Sequence, residues 1–435
     1  MSGTAVPDVR GAIDEGPISP FQATAIGLCV VLNMLDGFDV LVMAFTASEV
    51  AKEWSLSGAA LGALLSAGLF GMSGGSLFVA PWADRYGRRA TTLFCLGLIT
   101  LGMLLSSLAQ SPAQLTALRV LTGVGVGGIL ASLTVITSEY APKRWRVSAI
   151  SLSATGYPIG ATLGGTIAAY LITSFGWRSA FLFGALASGI MIPVVARSLP
   201  ESLDFLLARR PKDALPRMNE LLRRMGRPAV AALPERAIGE PKPGNPLGRL
   251  FAPAVAAQTA LLWSAFFLTM LTFYFATSWT PKLLVAAGLS TRQGITGGVL
   301  LNLGGILGGS LFTYFASRAP LKLLASLCLA GTAAGMMLFG AFATDLLAAF
   351  LIAFLVGIAL FGSMVGLYAA APSLYPAAIR TTGMGWAIGM GRVGAILAPF
   401  CAGLLVDRGW DTIGLYAAFA VPVGLAVLAV RGLRI

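Results

Sequence analysis

The sequence contains no histidine. A proton moved through this protein must therefore be carried first of all by carboxylates. Charge of either sign is scarce: Asp, Glu, Lys and Arg make up 11% of the 435 residues, against about 25% in soluble domains. Apolar residues account for 57% and the mean hydropathy is +0.82, so the composition is that of an integral membrane protein. The four cysteines, Cys29, Cys95, Cys328 and Cys401, are scattered through apolar segments. They read as small buried hydrophobes and suggest neither a disulfide framework nor a metal site. No phosphate-loop motif is present, which argues against a nucleotide as energy source. No clustered catalytic set or cofactor-ligand set stands out, so an enzyme is not expected, and no cofactor.

What the chain has instead is apolar runs of spanning length. A helix needs about 20 mainly apolar residues to cross the hydrocarbon core, and twelve such segments can be read, the first over Ala23–Phe45. They divide into a 23–196 half and a 254–430 half of six spans each. A polar, disordered-looking tail (1–22), a central loop (197–253) and a short end (431–435) complete the chain. The expected fold is all-α: twelve transmembrane helices in two pseudo-symmetric halves. Placing both tails, the central loop and the even-numbered loops on one side gives that side 23 of the 30 Lys and Arg residues, with five on the other. By the positive-inside rule that side is cytoplasmic. The net charge of +12 thus reflects topology, and nucleic acid is not an expected partner.

The halves repeat at an offset of about 234 residues. Gly74-Gly75 falls on Gly308-Gly309, Gly160-Ala161 on Gly394-Ala395, and Gly176-Trp177 on Gly409-Trp410. Parallel repeats related by an axis along the membrane normal are a transporter architecture, with substrate bound near the midplane between the halves.

Several residues stand out against this frame. Asp36 and Asp39 lie mid-span, three residues apart and hence on one helix face. Ionisable groups at such depth ordinarily serve a pathway or a relay, so both are candidates for proton coupling. Arg119 enters the fourth span at a depth of roughly 7 Å, against roughly 12 Å for Asp39 at about 1.5 Å per residue. It is expected to pair with Asp39 or to meet an anionic substrate directly. Arg392 sits near the midplane of a glycine-rich eleventh span beside Trp386, as a receptor for a carboxylate or as an ion-pair partner of Asp36 or Asp39. Tyr157, Tyr274 and Asn302 need polar partners at their depth and are further candidates to line a ligand cavity. The loop Asp84-Arg85-Tyr86-Gly87-Arg88-Arg89 follows the second span. Asp84 is expected to order this loop and to pair with basic groups or helix termini of the other half, as a gate. Arg85, Gly87, Arg88, Arg89, Glu139 and Arg144 belong to the same cytoplasmic gate.

That loop resembles the signature of the major facilitator superfamily: acidic residue, Arg, any residue, Gly, two basic residues. Asp36-Gly37-Phe38-Asp39, Arg119 with its glycines, Ser138-Glu139-Tyr140, Pro200-Glu201-Ser202, Tyr375-Pro376 and the Gly389–Gly394 run around Arg392 narrow the resemblance to the aromatic acid:H+ symporters. One departure is Ile129-Leu130-Ala131-Ser132, where that family often has a Pro-Asn pair. The resemblance implies import of a monocyclic aromatic carboxylate of the benzoate or hydroxybenzoate type with protons, across the bacterial inner membrane. A monomer is expected, with the organic anion, H+ and the lipid bilayer as its partners. The alternatives are a carrier of an aliphatic or sugar acid or a drug exporter on the same fold, and, ranked lower, a membrane sensor.

Overall fold

The computed structural model describes residues 9–211, 213–233, 248, 250–253 and 255–434. The rest of the expected tails and residues 212, 234–247 and 249 of the central loop lie outside the described residues. Among the described residues, twelve helices are long and apolar enough to cross a membrane. In order they are Pro20–Glu53, Gly58–Tyr86, Arg88–Ser107, Pro112–Tyr140, Arg146–Phe175, Arg178–Ser198, Ala256–Ala286, Thr291–Ala316, Leu321–Ala341, Leu346–Leu374, Thr382–Asp407 and Thr412–Gly432, called here spans 1 to 12. Several outrun their apolar stretch because polar caps extend them. Ser19 begins span 1 with a capping box to Gln22 and with Pro20 in the first turn, and Ser290 begins span 8 with a capping box to Gln293.

The repeat is visible in the backbone. The N-caps of spans 2 and 8 are Ser57 and Ser290, and those of spans 4 and 10 are Ser111 and Asp345. Spans 5 and 11 are followed by Gly176 and Gly409, both at φ +81°, a conformation that disfavours residues with a Cβ. Packing repeats too. Span 1 lies on 5, 2 on 4 and 3 on 6; correspondingly 7 lies on 11, 8 on 10 and 9 on 12. Glycines set the closest approaches: a Cβ on Gly71, Gly75 or Gly127 would strike the backbone of the facing span in the 2–4 pair, and one on Gly304, Gly308 or Gly357 in the 8–10 pair. The halves meet through spans 2 and 11, 5 and 8, and 1 and 7.

The halves are not parallel slabs. Among the described residues, the hydrogen bonds between them all lie at one end. They run from Gly58 and Ala59 to Asp407, from Ser66 to the carbonyl of Ile396, and from Thr291 to Glu49. This end is the one away from the Asp84–Arg89 loop. At the basic end, among the described residues, no hydrogen bond joins the halves, and Gly385, Trp386 and Gly389 of span 11 are exposed. The bundle is therefore closed at one end and open at the other.

Two segments expected to be irregular are ordered at the basic end. Val9–Asp14 is helical, its Ile13 is fully buried, and Asp14 pairs with Arg146. Leu203–Arg209 and Ala214–Arg224 of the central loop are helices, the second burying Met218, Leu221 and Leu222. Together these segments cap the first half. Their apolar residues are too sparse to give a spanning signal, but short amphipathic helices need only one apolar stripe.

Candidate functional site

Midway along the bundle, polar side chains from both halves converge without partners. Tyr157 of span 5 lies within electrostatic reach of Tyr274 (span 7), Arg392 (span 11) and Asp36 (span 1). Tyr368 of span 10 lies within reach of Arg392 and Tyr274. The Tyr157 hydroxyl, Nη1 of Arg392 and Oδ1 of Asn302 are buried with no hydrogen-bond partner among the described residues. Each such atom costs about 1–3 kcal/mol when left unpaired, so the cluster is built to be completed by something else. Tyr157 and Arg392 offer two donors in an aromatic setting, and the bare Asn302 oxygen is a separate acceptor midway along span 8. Asn302 spends its amide on the Gly298 carbonyl at 2.9 Å, which leaves the carbonyl oxygen free. It shares a helix face with Gly298, whose Cβ position looks onto Pro281 of span 7 and Phe45 of span 1. Tyr274 is braced edge-on by Phe273, with ring centroids 5.3 Å apart.

The cluster is reached from the basic end. Gly385 and Gly389 stand on the same face of span 11 as Arg392. Both are exposed, and nothing lies within 4 Å of a Cβ built on either. Trp386 is not part of this group. It sits six residues nearer the basic end, on a different face, and stacks on Trp263 with centroids 5.8 Å apart. Its expected place against the ligand does not hold in this structure, because the helix turns it away from Arg392.

The two carboxylates of span 1 face the interior of the first half and differ sharply. Asp39 holds Arg119: Nη1 lies 3.4 Å from Oδ1 and 3.4 Å from the Asp39 carbonyl oxygen. The guanidinium is boxed in by Met103 Sδ at 3.2 Å and by the Phe181 ring at 4.9 Å. Both side chains are nearly sealed, Arg119 at 3% and Asp39 at 5% exposure. Arg119 is thus a partner of Asp39, and its enclosure keeps it from meeting a substrate directly in this state. Asp36 accepts no hydrogen bond among the described residues, and its Oδ2 is buried bare. Two small cavities flank the pair, of about 20 and 10 Å3, each roughly one water in size. The larger is lined by Asp39, Arg119 and Thr122, the smaller by Asp36, Asp39 and Ser188.

At the basic end the gate residues are arranged otherwise than expected. Asp84 is 71% exposed and pairs at 2.9 Å with Arg88, which opens the next helix across the Gly87 turn. Among the described residues it forms no hydrogen bond or ion pair with the second half. Its carbonyl oxygen accepts from Arg209 Nε at 2.8 Å. Arg85 and Arg144 lie over the rings of their neighbours Tyr86 and Trp145, and neither forms a hydrogen bond or ion pair among the described residues. Arg146, not Arg144, is the built-in residue of its loop, donating to the Ser138 carbonyl at 3.0 Å and pairing with Asp14.

The loop is organised by Glu201, which the sequence pattern held but which did not stand out as a gate residue. Glu201 Oε1 accepts from the backbone N–H groups of Arg88 at 2.8 Å and Arg89 at 3.3 Å, capping span 3. Arg89 also donates its guanidinium to the Ala196 carbonyl. Glu139 in turn accepts from Ser202 Oγ and the Leu203 N–H, each at 2.8 Å. Gly87 adopts φ +104°, and a Cβ there would run into the Glu201 carboxylate. Gly87→Ala is therefore expected to lower stability by about 1–3 kcal/mol. A melting scan of the purified variant checks this, and equilibrium substrate binding should be unchanged.

Comparison with known proteins places this geometry. The sequence profile of the Major Facilitator Superfamily matches residues 26–399. A gallate transporter of Pseudomonas putida is 32% identical over 428 residues, covering 97% of this chain and 94% of that protein. The 4-hydroxybenzoate transporter PcaK of Pseudomonas aeruginosa is 33% identical over 431 residues, covering 97% and 95%. Among solved structures, a partially occluded inward-open conformation of the xylose transporter XylE from E. coli superposes with a TM-score of 0.75 at 15% identity, covering 94% of this chain and 97% of that one. That likeness is one of fold alone.

Proposed function

Because the chain belongs to the major facilitator superfamily, we propose that it imports a monocyclic aromatic carboxylate together with protons, by alternating access of one central site. The relatives named for gallate and 4-hydroxybenzoate support this substrate class. The observation that carries it is the unpartnered pair of Arg392 and Tyr157 at mid-membrane, with the bare carboxylate of Asp36 within electrostatic reach of Tyr157. The basic end is cytoplasmic by its Lys and Arg excess, with both termini inside, and the structure is then the inward-facing state. Both halves of a single chain complete the site, so a monomer suffices.

In this reading Arg392 grips the substrate carboxylate with its free Nη1, and the Tyr157 hydroxyl adds a second donor. The aromatic ring lies among Tyr274, Tyr368 and the Phe273 side. Asp36 carries the proton. Asp39 stays with Arg119 and sets the field around Asp36, and one water in each flanking cavity links the three groups. Tyr157 couples the two sites because both Arg392 and Asp36 act on it electrostatically. A substrate carboxylate on Arg392 and a negative charge on Asp36 repel across the same hydroxyl, so binding of the anion favours a protonated Asp36. The carrier then moves substrate and proton together.

Asn302 is assigned to the ring substituent: its free carbonyl oxygen accepts from a ring hydroxyl. Asn302→Leu should weaken 4-hydroxybenzoate binding by about two- to twelvefold, the loss of one neutral hydrogen bond, and leave benzoate nearly unaffected. Calorimetry with the two acids gives the comparison. The same instrument tests the substrate class. Purified protein is expected to bind 4-hydroxybenzoate and to ignore phenol, which lacks the carboxylate, and glucuronate, which lacks the aromatic ring. Equal binding of glucuronate would move the protein to the sugar-acid carriers.

A further inference from the structure

Spans 2 and 11 run antiparallel, so the end of each lies beside the start of the other. At the closed end this produces a contact that the expected gate residues do not include. Asp407, the last residue of span 11, lays its carboxylate on the first turn of span 2. Gly58 N–H donates to Oδ1 at 2.5 Å and Ala59 N–H to Oδ2 at 2.8 Å. The next donor, Ala60 N–H, is taken by Ser57 Oγ at 3.2 Å. The first turn of a first-half helix thus owes two of its caps to a carboxylate of the second half.

The surrounding residues are shaped for this contact. A Cβ on Gly403 would strike the Gly58 carbonyl, and one on Gly62 would strike that of Pro399. One turn deeper than Gly62, Ser66 Oγ donates to the Ile396 carbonyl at 2.7 Å. Glycines let the backbones approach, and the carboxylate then uses helix N–H groups that otherwise need water.

At the other end of the same helix pair stands Asp84, near the end of span 2 and on the side where span 11 begins, and it is exposed. We infer that Asp407 is a latch of the closed end: its carboxylate caps the start of span 2 in this state and releases it when that end opens, opposite in phase to the gate expected at Asp84, which is open here. A contact present in only one of two states biases their equilibrium by its own strength. The inference uses the alternating access of the proposed function but not its substrate or proton, and its test reads conformation alone.

The test uses Ser66→Cys as a reporter, with Cys328→Ala and Cys401→Ala to silence the partly buried native thiols. Ser66 is 7% exposed beneath the closed contact. A membrane-impermeant maleimide is added from the Asp407 end of reconstituted protein, without substrate. Asp407→Ala is expected to raise the labelling rate about two- to thirtyfold, the range that loss of an N-cap produces. Asp407→Asn, which keeps an acceptor oxygen, should raise it less. Asp84→Ala should lower it. Gly403→Ala leaves Asp407 in place and wedges the same contact, so it should also raise labelling, and it serves if Asp407→Ala folds poorly. Unchanged labelling in Asp407→Ala, or in Gly403→Ala where that is the variant that folds, overturns the latch. A rise with Asp84→Ala overturns the pairing of the two ends.

Discussion

Arg392→Lys weakens binding of 4-hydroxybenzoate by roughly ten- to a hundredfold. The guanidinium is held mid-span with Nη1 unpartnered, and a planar fork matches a carboxylate where an ammonium offers only a point charge. A charge-assisted hydrogen bond is worth about 1.5–3 kcal/mol, which gives that range. Titration calorimetry on the purified variant measures it directly. Wild-type affinity in the lysine variant would reduce Arg392 to a structural group and leave the site without its anion receptor.

The second large effect separates the two aspartates. Asp36→Asn removes an exchangeable proton from a carboxylate that no neighbour holds. Uphill accumulation should disappear, whereas exchange of labelled for unlabelled substrate continues and the melting temperature stays near wild type. Asp39→Asn acts differently, because it leaves Arg119 buried without its counter-charge. Breaking a buried pair from one side costs about 3–5 kcal/mol, so this variant should melt early. Proteoliposome uptake, counterflow exchange and thermal scans on both variants give the pattern. Retained accumulation in Asp36→Asn would reassign the proton to another group.

The spans, the repeat and the approach of Asp39 to Arg119 were readable because depth follows from counting residues at fixed rise. The convergence of Tyr157, Tyr274 and Arg392 was readable for the same reason: each lies mid-span in a helix at the half-to-half boundary. Counting does not give rotation about the helix axis, and that is where Trp386 departs, stacked on Trp263 instead of standing beside Arg392. Rotation also decides that Asp36, not Asp39, is left without a partner. The loop pattern marks Asp84 as a latch, yet its partner depends on which end of the bundle is open, and one sequence serves both states. Asp407 and Glu201 went unmarked as gate residues because a carboxylate at a helix boundary looks like ordinary solvent exposure. Only the facing helix start shows its use. The signal for Glu201 was present in Pro200-Glu201-Ser202, at the end of a span and close to a loop needing backbone caps. The helical cap built from Val9–Asp14 and Ala214–Arg224 was hidden by the polar character of its segments.

The most direct measurement is uptake of labelled 4-hydroxybenzoate into proteoliposomes, with the outside made acidic and then with the gradient collapsed by a protonophore. Accumulation above the external concentration that requires the acidic outside, and that falls to simple equilibration with the protonophore, is the expected result. Accumulation of equal height with the gradient collapsed, or no uptake of any benzoate-type acid by protein that still binds it, would contradict proton-coupled import.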